Sequence, residues 1–184
     1  MIVRPDGWLE GVCRVSSPNY DARPPGSAIG LIVIHNISLP PGQYGGDHIS
    51  RLFTNTLEVL VDPYFAEVAG LQVSAHVLIE RDGAVTQFVS FANRAWHAGV
   101  SYFNGRAACN DFSVGIELEG TDFEAFADVQ YATLNSVIAA LLATYPIEAV
   151  RGHADIAPDR KTDPGPFFDW RRVDLPSGVS TPPA

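Results

Sequence analysis

The chain has 184 residues, 46% of them hydrophobic and 18% charged, a composition that suits one globular domain with a sizeable core and excludes a disordered chain. Twelve basic against twenty-one acidic residues leave a formal net charge of −9, which argues against nucleic acid or an anionic membrane surface as partner and favours a small soluble substrate. No run reaches the roughly 18 apolar residues a membrane span needs, and Met1–Trp8 lacks the features of a secretory signal. A cytoplasmic location is therefore expected, with Cys13 and Cys109 as free thiols.

Residues 1–28 show no clear period and, with Pro18, Pro24, Pro25 and Gly26, are expected to wrap the surface. The run Ile29-Gly30-Leu31-Ile32-Val33-Ile34-His35-Asn36 is continuously apolar and rich in β-branched residues, so it reads as a buried strand ending at His35. A turn-rich loop follows through Pro40, Pro41, Gly42, Gly45 and Gly46, and 47–53 reads as a short helix. Residues 73–79 and 84–89 flank an Asp82-Gly83 turn and predict an antiparallel hairpin. Ala92–Gly99, carrying Trp96 and His97, is left open between a helical turn and a loop.

Alternation over 112–119 places Ser113, Gly115 and Glu117 on one face of a strand and Ile116 and Leu118 on the other. The spacing of Val129, Leu134, Val137, Ile138, Leu141 and Leu142 predicts a helix of about four turns over 128–145, ended by Pro146. Residues 147–152 read as a short strand, 167–171 as a short closing helix, and 176–184 as a frayed tail. The expected architecture is a single domain over 1–184, of α/β (α+β) class, with a central mixed β-sheet flanked by helices.

Chemistry concentrates in 152–166, Gly-His-Ala-Asp-Ile-Ala-Pro-Asp-Arg-Lys-Thr-Asp-Pro-Gly-Pro. Its prolines predict a stiff loop rather than a helix. His153 and Asp163 are metal-ligand types, and the loop between them is long enough to bring both to one ion. A catalytic metal needs a third donor, for which His35 at its strand end is the best candidate. A buried histidine hydrogen-bonded in the core is the plainer alternative for His35, as a surface strand is for Glu117. Lys161 lies two residues from Asp163, and Asp155 is read as an acid that steadies the loop.

Five blocks, in this order, carry a resemblance: Val-Ile-His-Asn-Ile-Ser-Leu-Pro-Pro-Gly, Ser-Ala-His-Val-Leu-Ile, Arg-Ala-Trp-His-Ala-Gly-Val-Ser, Cys-Asn-Asp-Phe-Ser-Val-Gly-Ile-Glu-Leu-Glu-Gly-Thr-Asp, and the 152–166 stretch. Together they resemble the zinc amidases that act on 1,6-anhydro-N-acetylmuramyl-L-alanine peptides in peptidoglycan recycling. Phage lysozyme-type amidases and peptidoglycan recognition proteins belong to the same wider family. The resemblance implies Zn2+ held by His35, His153 and Asp163, with Glu117 and Lys161 as the catalytic pair, in a cytoplasmic monomer. It further implies a soluble muropeptide substrate and, in some bacteria, a place upstream of β-lactamase induction.

Asn36, Tyr64, Trp96, His97 and Arg106 are candidate substrate contacts, while His76 is read as packing or orienting a neighbour. Members of the family carry arginines where this chain has Gln72 and Ala108, which leaves Arg106 as a candidate to hold peptide carboxylates. The competing readings are a lytic amidase acting on polymeric peptidoglycan and a muropeptide-binding module without catalysis.

Overall fold

The computed structural model describes residues 1–182. In chain order the strands are β1 (Cys13–Arg14), β2 (Tyr20–Ala22), β3 (Leu31–Ile37), β4 (Val77–Ile79), β5 (Val85–Gln87), β6 (Asn93–Ala95), β7 (Tyr102–Phe103), β8 (Arg106–Ala107), β9 (Ser113–Glu119) and β10 (Ala149–Gly152). The helices are α1 (His48–Phe53), α2 (Phe65–Val68), α3 (Asp128–Leu142) and the single turn α4 (His153–Ile156).

Six strands form one mixed sheet in the order β1-β5-β4-β9-β3-β10. β3 pairs in parallel with β9 and with β10, β4 pairs in parallel with β9, and the β4–β5 hairpin is the antiparallel step. The apolar run of β3 is buried on both faces, as parallel central strands are, because both sides of the sheet are covered. One face, with Ile32, Ile34, Val77, Ile79, Val114, Ile116 and Leu118, packs on Leu134, Val137, Ile138 and Leu141 of α3. The other face carries Leu31, Val33 and Leu78 into two smaller clusters built with α1, α2 and α4. His35, Gly115 and Glu117 sit on this second face, away from α3, so the split read from alternation is the split between core and site.

Five local expectations change: 92–99, left open between a helical turn and a loop, holds strand β6, and the closing helix expected over 167–171 is a single 3-10 turn at Trp170–Arg172. The stretch 1–28 is more than a surface wrap: β1 pairs with β5, β2 pairs with β6, and Leu9 is buried with its amide donating to Gln87 Oε1 at 2.7 Å. The expected loop at 152–166 begins with α4, because the first proline is Pro158 and nothing in His153–Ile156 forbids a turn. The tail is not frayed through Ser180, whose amide donates to Glu148 O at 3.0 Å and whose carbonyl accepts from Val150 N at 2.9 Å. An edge strand offers such unpaired groups, and the tail covers them. Pro183 and Ala184 lie outside the described residues. Among the described residues no helix is long and apolar enough to cross a membrane, and Cys13 and Cys109 are free.

Arg23 joins the N-terminal stretch to the sheet. Its guanidinium donates to four carbonyls, those of Phe91 (3.1 Å), Asn110 (3.0 Å), Asp111 (3.2 Å) and Ser113 (2.7 Å). Burial lowers its pKa to about 10, which still leaves it charged at neutral pH. Arg23→Ala strands these acceptors beside the start of β9 and is expected to lower stability by about 3 kcal/mol or more in urea denaturation. A loss under about 1 kcal/mol would mean that solvent satisfies the carbonyls in the variant.

Candidate metal centre and cleft

The parallel register of β3 on β9 pairs His35 with Glu117, so two polar side chains stand side by side at the ends of apolar strands. β10 lies on the other side of β3 and delivers His153 as the first residue of α4. The chain then folds back, and Ala154 N donates to the carbonyl of Asp163 at 2.9 Å, which ties the far end of the loop to this helical turn. Asp155 has the loop-steadying part expected of it: its carboxylate accepts from Gly152 N at 2.6 Å. Gly152 also leaves room for the loop, since a Cβ there would come within 2.7 Å of Pro164 Cδ.

Three donor atoms converge as a result. His35 Nδ1 lies 3.0 Å from His153 Nδ1 and 2.9 Å from Asp163 Oδ2, and His153 Nδ1 lies 3.1 Å from the same oxygen. With one ring proton, His153 places it on Nε2, which faces the carbonyl of Ala98 at 3.1 Å, because the Arg160 Nη2 lying 3.4 Å away donates both its protons to the Ala98 and Val100 carbonyls. Its Nδ1 therefore turns a lone pair toward the carboxylate oxygen. Acceptors facing one another at this distance repel unless a cation lies among them. Tetrahedral coordination with bonds of about 2.0–2.1 Å has donor–donor edges of about 3.3–3.4 Å, close to this triangle. The three residues could hold a metal ion.

Electrostatics favour the ligand forms. Burial pulls the His35 imidazole down to about 4, with Asp163 opposing, so it is neutral at physiological pH. Burial raises the Asp163 carboxyl, but its polar contacts with His153 and His35 outweigh this and hold the group below the usual carboxylate range. Glu117 is shifted the other way. Burial pushes its carboxyl well above the usual range, the Asp163 charge adds to this, and Lys161 opposes it. Glu117 Oε2 is buried without a hydrogen-bond partner. Such an atom beside a donor triangle is ready to take a proton.

The cleft over this centre encloses about 260 Å³. Asn36, Tyr64, Trp96, His97, Glu117 and Lys161 all line it with the three candidate ligands. Arg106 does not. It stacks on Phe112, 3.8 Å above the ring, in a separate recess with Phe103 and Glu148. The β7–β8 ribbon carries it there, and Ala108 turns the chain through a left-handed conformation at φ 57°. Gln72 lines an adjoining recess with Arg160 and Lys161, so basic charge on that side comes from the 152–166 loop. Arg160 donates to the carbonyls of Ala98 and Val100, both at 2.7 Å. Sequence reasoning passed over this role for Arg160, because no local pattern ties residue 160 to residue 98. His76 is structural as expected, its Nδ1 accepting from Gly115 N at 3.0 Å.

Fold and site together set three residues that could hold a metal ion, and a buried carboxyl able to hold a proton, on one face of a sheet. The chain belongs to the N-acetylmuramoyl-L-alanine amidase family, whose pattern matches residues 25–166. It is similar to the 1,6-anhydro-N-acetylmuramyl-L-alanine amidase AmpD of Escherichia coli (strain K12), with 59% identity over 168 residues covering 90% of this chain and 92% of that one. The crystal structure of a selenomethionyl AmpD derivative matches with a TM-score of 0.91 at 55% identity, over 94% of this chain and 97% of that one. The amidase AmiD from E. coli, solved with the substrate anhydro-N-acetylmuramic acid-L-Ala-D-gamma-Glu-L-Lys, matches with a TM-score of 0.59 at 28% identity, over 94% of this chain and 64% of that one.

The raised Glu117 pKa makes a stability prediction for the metal-free protein. The folded state keeps this proton to higher pH than the unfolded state, so stability is lost as pH rises above the ordinary value of 4.5 and through the folded pKa. Glu117→Gln removes that loss. The variant should melt like the wild type at about pH 4 and higher than it at about pH 8, by about 2–4 °C for each kcal/mol relieved. An equal difference at both pH values would mean that Glu117 titrates alike in the folded and unfolded states.

Proposed function

We propose that this protein is a zinc-dependent amidase that hydrolyses the amide joining the lactyl group of 1,6-anhydro-N-acetylmuramic acid to the L-alanine of a stem peptide. The observation that carries the reading is the donor triangle of His35, His153 and Asp163 set beside the partnerless carboxylate of Glu117. The anhydro sugar is the substrate that AmpD is named for, and AmpD is the relative at 59% identity.

Two nitrogens and one oxygen suit zinc, and three protein donors are the number that catalytic zinc sites use. Bound there, zinc supplies Lewis acidity to the amide carbonyl and acidity to an attacking water. Glu117 takes the water proton as the new C–O bond forms and gives it to the alanine nitrogen as the C–N bond breaks, which leaves a carboxylic acid and a free amine. A carboxylate that burial has made more basic suits both transfers. Lys161 at the cleft stabilises the oxyanion of the tetrahedral intermediate. Asn36, Tyr64 and Trp96 are the side chains placed to contact sugar and peptide, with Asn36 held by donation to Asp122 Oδ1 at 2.7 Å. In this reading the enzyme recycles soluble muropeptides in the cytoplasm.

The reading is tested by following peptide release from anhydromuropeptide and from intact sacculi, with the zinc content of every sample measured. Wild type should cleave the soluble substrate, and Glu117→Ala should lose about 10²–10⁴-fold in rate while keeping its zinc. Cleavage of sacculi at comparable efficiency would move the enzyme to the lytic class. Tight binding without cleavage of either would make it a recognition module.

A further inference from the structure

The two histidines of the triangle turn Nδ1 inward, so to ligate an ion each must carry its proton on Nε2. Both Nε2 atoms end on one dipeptide, His97-Ala98. His153 Nε2 faces the Ala98 carbonyl at 3.1 Å, which calls for a proton on Nε2, since Arg160 Nη2 at 3.4 Å has its two protons on the Ala98 and Val100 carbonyls. His35 Nε2 faces His97 Nδ1 at 2.9 Å, and an imidazole nitrogen permits either direction. The chain of contacts runs one step further, to a Ser113 hydroxyl that can accept as well as donate. His97 Nε2 lies 3.1 Å from Ser113 Oγ. A proton held there leaves Nδ1 of His97 as an acceptor, which leaves Nε2 of His35 as the donor and Nδ1 of His35 free for the ion.

The dipeptide itself is held at several points. The amides of His97 and Ala98 both donate to Asn110 Oδ1, at 3.2 and 2.8 Å. The carbonyl of Asn110 accepts from Arg23. The His97 ring meets His35 edge-on, with centroids 5.1 Å apart at 83°, and stands on Gly115, where an added Cβ would come within 2.4 Å of the ring. The space and the backbone contacts both orient this ring toward His35.

We propose that His97 is a positioning residue of the metal centre, its Nδ1 accepting from His35 Nε2 and its Nε2 donating to Ser113 Oγ, the arrangement that keeps Nδ1 of His35 available as a ligand. This rests on the zinc reading and revises the expectation of His97 as a substrate contact. Partners of this kind fix ring orientation and raise ligand basicity, and losing one weakens metal binding without removing a ligand.

The test measures zinc affinity of the whole chain by chelator competition, with circular dichroism and melting of the metal-free forms as folding controls. His97→Phe keeps a ring over Gly115 and removes both nitrogens, and should weaken zinc binding about 10–100-fold. His97→Asn, whose amide oxygen falls near the place of Nδ1, should restore most of that loss. Ser113→Ala touches neither cleft nor ligands and should weaken binding by a smaller factor in the same direction. The visible spectrum of the cobalt-loaded protein should change in His97→Phe and return in His97→Asn.

Wild-type zinc affinity in folded His97→Phe overturns the proposal, and a raised KM at unchanged zinc affinity identifies a substrate contact instead. Should His97→Phe fail to fold, unchanged affinity in Ser113→Ala overturns it alone. A wild-type protein that takes up no zinc sinks the zinc reading and this inference together, whereas zinc in wild type and variants alike sinks only the inference.

Discussion

The parallel pairing of β3 with β9 is the constraint on which the site depends. Its register sets His35 against Glu117 and Val33 against Gly115, and a slip of one residue would turn His35 into the packed face under α3. The register is held by burial. Ile32, Ile34, Val114, Ile116 and Leu118 can all reach the α3 interface in only one alignment, and the polar members of both strands then share the opposite face. Site geometry is thus a by-product of core packing, and the side chains that do the chemistry need no pairing energy of their own to be brought together.

That arrangement has a cost which the surrounding structure offsets. A buried carboxyl oxygen without a partner and three donor atoms aimed at one point are each unfavourable in the absence of a cation. Around them, Arg23, Asn110, Arg160 and Asp155 satisfy backbone groups of the loops that carry the site. These contacts are made to carbonyls and amides rather than to the reacting groups. The loops are therefore rigid while the donors remain available.

The family pattern spans residues 25–166, which include the donor triangle and the cleft around it. Gln72 lines the recess beside the cleft, and Arg106 faces away from the cleft onto Phe112. The positive charge near the cleft comes from Lys161 and from Arg160, whose guanidinium is partly taken up by the Ala98 and Val100 carbonyls. The rim charge thus comes from the same 152–166 segment that supplies His153 and Asp163 to the donor triangle.

Sequence alone determined β3 through its continuous apolar run, the β4–β5 hairpin through its Asp-Gly turn, and β9 and α3 through their periodicity. It also separated Glu117 from Ile116 and Leu118, because alternation in a strand is a local property. It marked His153, Lys161 and Asp163 through a Pro-rich stretch dense in reactive residues. Tertiary structure decided what depends on distance across the fold. β1 and β2 have no visible period because they are two or three residues long and are fixed by their partners, and the tail is ordered by the free edge of β10. Arg106 leaves the cleft because a two-stranded ribbon carries it away. His97 takes its place because Gly115, Ser113 and His35, which share no local signal with it, surround one ring. A hydrogen bond between residues 35 and 97 leaves no trace in the periodicity of either segment, so only the folded chain could reveal it.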